Sequence, residues 1–181
     1  IKIAKKHKLK IIEDACESLG AEHRGKKAGT FGESAVFAFY PNKQITTGEV
    51  GMIVTNNRET DSLCRSLRNQ GRSPDRRWLN HERLGYNYRM DEMSAALGVA
   101  QLDRVDEMIK ERARIASLYQ KHLLPYKKNM AIPAVAEYNT HTWFVYVVRI
   151  LNQSINRDKV ITDLEKKGIE TKPYLPSIHL F

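Results

Sequence analysis

Lys43 lies in FAFYPNKQITTGE, residues 37–49, after a run of apolar and aromatic side chains and before a segment rich in hydroxyls and glycine. Two readings compete. It can be an ordinary loop lysine ending a strand, its stem along apolar surface and its head in water. Or it can be a reactive amine: beside the apolar wall of Phe37, Phe39 and Tyr40 an ammonium gives up its proton more readily, and the free amine attacks a carbonyl. Asp14 poses a similar choice. It follows the apolar run LKIIE, residues 9–13. A carboxylate just beyond a strand sits where open α/β sheets bind ligands, yet it would also serve as the N-cap of the turn that follows. Taken together the two say more. A lysine for the aldehyde and a carboxylate for the pyridine nitrogen are the two fixed points that hold pyridoxal 5'-phosphate and let its ring accept carbanion electrons. Each charge is costly in a desolvated site without the other.

Several elements must position these two groups. Residues 2–8 read as a basic helix, Leu9–Glu13 as a buried strand, Ser34–Tyr40 as a second strand and Gly51–Thr55 as a third. The glycines and lysines of His23–Thr30 mark a solvent-facing turn. Glu59–Asn69 has helical spacing, and Gly71–Asn80 is a polar loop. Met90–Leu124 is the longest periodic segment, with Asp91 in its first turn, a possible break near Arg104–Asp106, and Pro125 as its stop. Beyond it, Thr142–Ile150 reads as a strand with Trp143 and Tyr146 packing in a core. Arg157–Lys167 reads as an amphipathic helix capped by Gly168, and Ile169–Lys172 as a short strand. This grammar predicts an α/β body over residues 1–105 and a smaller α+β body over 106–181.

Composition bounds the function. The chain has 181 residues, 41% hydrophobic and 28% charged, which suits a globular protein. No apolar run is long enough to span a bilayer, and the first residues lack the apolar core of a secretory signal. The start without Met and the end at IHLF read as a fragment of something longer. Two cysteines, Cys16 and Cys64, without CxxC spacing, exclude a disulfide scaffold and a structural zinc site and point to a reducing, cytoplasmic setting. No metal site is expected. Cys16 reads as a small core residue. The net charge of +9 invites nucleic-acid binding, but the basic residues are scattered and alternate with acidic ones along residues 91–114, so a solvated surface is the preferred reading. Arg72, Arg76 and Arg77 in the polar loop have two readings, contact with a nucleotide diphosphate or simple solvation.

The chain resembles the DegT/DnrJ/EryC1/StrS family of sugar aminotransferases. The carrying stretches are IIEDACESLGA (11–21), GKKAGTFGE (25–33), FAFYPNKQITTGE (37–49), GMIVTN (51–56), LRNQG (67–71), LGYNYRMDEMSAALG (84–98) and GIETKPYLPSIHL (168–180). The resemblance implies a type I PLP-dependent transferase fold: part of the large α/β/α-sheet domain, then part of a smaller α+β C-terminal domain. It implies that Lys43 is the Schiff-base lysine and the general acid/base, and that Asp14 is the partner of the pyridine nitrogen. Glu17 falls near the ring and its hydroxyl, where many members have Gln or His. Asn87 matches an asparagine that reaches the phosphate of a partner's cofactor, which implies a homodimer with a composite active site. His179 resembles a histidine near the substrate mouth. Ala38, where many members have a phosphate-binding serine, and Val50, which interrupts a glycine pair, depart from the pattern. The implied reaction moves an amino group, with glutamate as donor, to a keto-sugar nucleotide. Two competitors are a PLP-dependent sugar dehydratase, whose members typically replace the lysine, and a non-catalytic regulatory member.

Overall fold

The computed structural model describes residues 1–73, 79–175 and 177–180. In chain order the first elements are α1 (Lys2–His7), β1 (Ile12–Asp14), β2 (Glu22–His23), β3 (Lys26–Lys27), β4 (Ser34–Ala38), β5 (Gly51–Thr55) and α2 (Arg58–Leu67). There follow α3 (Glu92–Leu102), α4 (Val105–Leu123), β6 (Met130–Ala131), β7 (Asn139–Thr140), β8 (Arg149–Ile150) and α5 (Arg157–Glu165). The class is α/β. Two compact units emerge, one of Ile1–Ala113 with Ala136–Phe144, the other of Arg114–Val135 with Val145–Phe181.

In the first unit β4 is the middle strand of a sheet ordered β1-β4-β5. It runs parallel to β1, with Asp14 opposite Val36, and antiparallel to β5, with Ala38 opposite Gly51. Its sequence SAVFA explains the place: small, β-branched and aromatic side chains suit a strand flanked on both edges, and Ala35 is fully buried. The link from β1 to β4 carries the β2–β3 hairpin, whose turn residues Arg24 and Gly25 have φ of 52° and 73°. Two successive positive φ values match the right-handed twist of the flanking strands. β7 pairs with β2 on the other side.

The helices start where short polar side chains replace missing backbone partners. The Asn57 side chain accepts from Thr60 N at the head of α2, and Asp91 accepts from Ser94 N at the head of α3. Asp91 is thus the cap rather than a first-turn residue. The long periodic segment is two helices, α3 and α4, parted at Asp103 and Arg104, beside the break that the sequence suggested. In the second unit β6 and β8 form an antiparallel pair, and Tyr119 stacks on Tyr146 at 5.0 Å. Gly168, with φ of 77°, follows α5.

Three strand expectations need correction. β1 is shorter than Leu9–Glu13 and is not buried: Ile12 is 71% exposed, and Asp14 is the last residue of the strand instead of lying beyond it. Within Thr142–Ile150 only Arg149–Ile150 is a strand, because Trp143 takes a φ of 53° that no strand accommodates. Ile169–Lys172 forms no strand, and Ile169 is exposed. Arg76 and Arg77 lie outside the described residues; Arg72 forms a backbone bridge with His81.

Candidate active site

Asp14 at the end of β1, Glu17 in the turn after it and Lys43 in the turn after β4 line one cavity of about 420 Å³, together with Cys16 and Ser18. That size lies within the range of small-molecule sites, about 300–1,000 Å³. The parallel pairing of β1 with β4 brings this about, since both strands deliver their C-terminal ends to the same side of the sheet. Lys43 Nζ stands 2.9 Å from Glu17 Oε1, and its side chain is only 15% exposed. The ring of Phe144 lies beneath the ammonium, 4.6 Å from Nζ to the centroid.

The backbone that carries Lys43 is held firmly. Gln44, Ile45 and Thr47 are buried. Thr46 Oγ1 donates to Phe39 O at 2.9 Å, Thr47 N donates to the same carbonyl, and Gln101 Oε1 on α3 accepts from Thr46 N at 2.9 Å. Gly98, one turn before Gln101, lets α3 approach this loop: a Cβ there would lie 2.8 Å from Thr47 Cγ2. The Gln44 side chain donates to Glu17 O at 2.7 Å and to Thr142 Oγ1 at 3.3 Å, so the residue beside the lysine ties two walls of the site together.

Asp14 is held ionised. The adjacent Cys16 side chain and then the Cys16 N–H, which donates to Oδ1 at 3.1 Å, hold its carboxylate below the usual range; desolvation opposes them, and the Lys43 charge helps them, while the thiol itself donates to Val36 O at 3.7 Å. The Cys16 thiol moves the other way, pushed up first by burial and then by the Asp14 carboxylate. A thiol held protonated is a poor nucleophile. Cys16 is half-buried and faces the cavity, so it is a lining residue and not the core residue that the sequence suggested. Glu13, on the opposite face of β1 from Asp14, accepts the backbone N–H groups of Gly29, Phe31 and Gly32 and so fixes the loop that leads into β4.

The other expected residues stand elsewhere. Asn87 is exposed in the Tyr86–Tyr88 segment, its backbone bridged to Asn69, and it does not line the cavity of this chain. His179 is exposed on the 3-10 turn Ile178–Leu180 of the second unit. Sequence reasoning missed Gln44, Glu13 and Phe144. Gln44 lay next to the lysine and Glu13 next to the aspartate, which is a usable signal; Phe144 sat in a stretch that reads as a plain strand.

Residues 1–181 match the model of the DegT/DnrJ/EryC1/StrS aminotransferase family, and the chain belongs to that family. The GDP-perosamine synthase of Caulobacter vibrioides is 42% identical over 181 residues, covering 99% of this chain and 48% of that protein. The structure of DesV from S. venezuelae superposes with a TM-score of 0.90 at 32% identity, over 99% of this chain and 47% of that one. The E. coli GDP-4-keto-6-deoxy-D-mannose-3-dehydratase with bound hydrated PLP gives 0.88 at 28% identity, over 99% and 50%. The chain spans about half the length of the curated relatives it matches. The donor set of the cavity fits pyridoxal phosphate: an ionised carboxylate for a ring nitrogen and a primary amine for an aldehyde border the same space. Among the described residues no helix is long and apolar enough to cross a membrane.

Proposed function

We propose that this chain contributes the lysine-bearing part of a PLP-dependent aminotransferase that aminates a keto-sugar nucleotide, with glutamate as donor, in amino-sugar or polysaccharide biosynthesis. One observation carries the reading: Asp14 and Lys43 converge on a single cavity. Support for the substrate class comes from the GDP-perosamine synthase relatives and from the amino-sugar transaminase of Campylobacter jejuni, 40% identical over 128 residues.

Asp14 would pair with the pyridine nitrogen, its charge favoured by the Cys16 thiol and N–H. Lys43 would bind the aldehyde carbon and move the proton at the substrate carbon, a positioned transfer worth about 10²–10⁴ in rate. Glu17 pairs with the same amine and would lie near the ring. When bound, the cofactor supplies the electron sink for the carbon that loses its proton. Asn87 would serve the partner subunit's cofactor phosphate in a homodimer, and His179 the substrate. Residues 1–105 would supply most of the PLP-binding large domain and 106–181 the linking helix and small domain, with 106–113 and 136–144 packing in the first unit. A cytoplasmic location completes the reading.

The test is amination. The protein is incubated with pyridoxal phosphate, glutamate and a panel of nucleotide-linked keto-sugars, and amino-sugar products are sought by mass spectrometry. Glutamate-dependent product with the native protein, and a loss of at least about 10²-fold in Lys43→Ala, support the reading. Deoxygenated sugar without amination would favour a dehydratase; salt-sensitive DNA binding without any turnover would favour a regulator.

A further inference from the structure

We infer that Phe144, fixed in place by Arg112, is a positioning residue for Lys43, its ring acting together with the Glu17 carboxylate to hold the amine at the cavity. The inference rests on Lys43 being the point of cofactor attachment.

Four independent features converge on this short segment. The Lys43 ammonium lies over the Phe144 ring at 4.6 Å, within the range where a ring face attracts a cation. Arg112 Nη1 on α4 donates to Trp143 O at 3.1 Å and to Phe144 O at 3.4 Å, so one guanidinium grips two successive carbonyls. Between them Trp143 adopts φ of 53°, a conformation that a bulky residue keeps only where its surroundings over-determine it. Thr142, 2% exposed, anchors the near end through the Gln44 amide, which also holds Glu17 O. The lysine's neighbour therefore ties the turn that carries Glu17 to the segment that carries Phe144. A lysine stem has four rotatable bonds, and a flexible amine must be confined before it can meet a carbonyl in reacting geometry. The Glu17 carboxylate and the Phe144 ring both hold it. Asp14, Cys16, Glu17 and Ser18 line the cavity with Lys43; Phe144 lies outside that lining and meets the amine through its ring face.

The strain is informative because the segment packs no large core. A relaxed extended path through residues 142–144 would satisfy the local sequence, and the left-handed turn is what aims the ring. Arg112 stabilises that turn by occupying carbonyls that a strand partner would otherwise take.

The experiment measures where the cofactor attaches. Purified protein is incubated with pyridoxal 5'-phosphate, reduced with borohydride, digested, and the pyridoxyl label on Lys43 is expressed as a share of the label on all lysines. Phe144→Leu and Phe144→Met, which fill similar space without a ring, and Arg112→Met are each expected to cut the Lys43 share at least about fivefold. The double variant Phe144→Leu/Arg112→Met is expected to do no worse than either alone, as residues acting through one contact are non-additive. Phe144→Tyr, which keeps the ring, is expected to retain the native share; a purely structural role would predict no such rescue. Native selectivity for Lys43 that persists in both ringless variants, or in Arg112→Met, overturns the inference while leaving the proposed function intact. Absence of selectivity in the native protein overturns the attachment role of Lys43 and the inference with it.

Discussion

Glu17 and Lys43, 26 residues apart in sequence, are joined by an ion pair of 2.9 Å at the mouth of the cavity. The carboxylate is 44% exposed and the amine 15%. Solvent screens such a pair, and partly exposed pairs contribute about 0–1 kcal/mol. Its importance is therefore positional. Glu17→Gln should change the urea midpoint by the equivalent of less than about 1 kcal/mol; a larger loss would mean that the pair is a structural keystone.

Asp14 offers a pH signature. Its folded carboxyl is held below the ordinary range by the Cys16 thiol and N–H, so folding favours the ionised form. That contribution is complete above the unfolded value, about 3.9, and disappears as pH falls through the folded value. The stability difference between native protein and Asp14→Asn should be constant from neutral pH to about pH 5 and shrink below about pH 4. Chemical denaturation at several pH values measures it, and a gap that widens on acidification contradicts the hydrogen-bond assignment.

Glu13 is expected to matter more for stability than its site neighbours. Its carboxylate accepts three backbone N–H groups from the loop before β4. Glu13→Ala leaves those donors without their acceptor, and each buried orphan costs about 1–3 kcal/mol. A loss of at least about 2 kcal/mol is expected in urea, whereas a midpoint equal to that of the native protein would show that the loop is held by other means.

The approach of α3 to the lysine loop gives a paired prediction. Gly98→Ala places a methyl 2.8 Å from Thr47 Cγ2, and Thr47 is buried. Overpacking of this kind costs about 1–3 kcal/mol, against a gain of at most about 1 kcal/mol in helix propensity. Thr47→Ser removes the offending methyl, so the double variant Gly98→Ala/Thr47→Ser should recover most of the loss. Thermal unfolding of the four proteins decides, and simple additivity would refute the clash.

The convergence of Asp14 and Lys43 was legible because it follows from a local rule: the carboxylate closes β1, the amine follows β4, and the parallel pairing of these strands brings the two ends together. The strand cores at Ser34–Ala38 and Gly51–Thr55 were legible for a similar reason, since β-branched and aromatic residues are bounded there by turn formers. The segment Thr142–Phe144 was not. Its residues are strand formers, and the turn is held by partners that local sequence does not show: Arg112, 31 positions away from Trp143, on two carbonyls, Gln44 on Thr142, and His141 Nδ1 accepting from Trp143 N. The face of β1 that carries Ile12 also misled, because an isoleucine pair reads as buried whether or not the chain itself covers it. Cys16 was placed in a core because nothing local to the sequence marks it as a residue that lines the cavity.

Every residue from Gln44 to Thr47 is anchored: Ile45 and Thr47 are sunk into the interior, and Gln44 and Thr46 are tied to the turn after β1 and to α3. The nitrogen thus travels on a swinging arm whose pivot is immobile. Its excursions are rotations about single carbon–carbon bonds, of the picosecond-to-nanosecond kind, and need no microsecond opening of a flap.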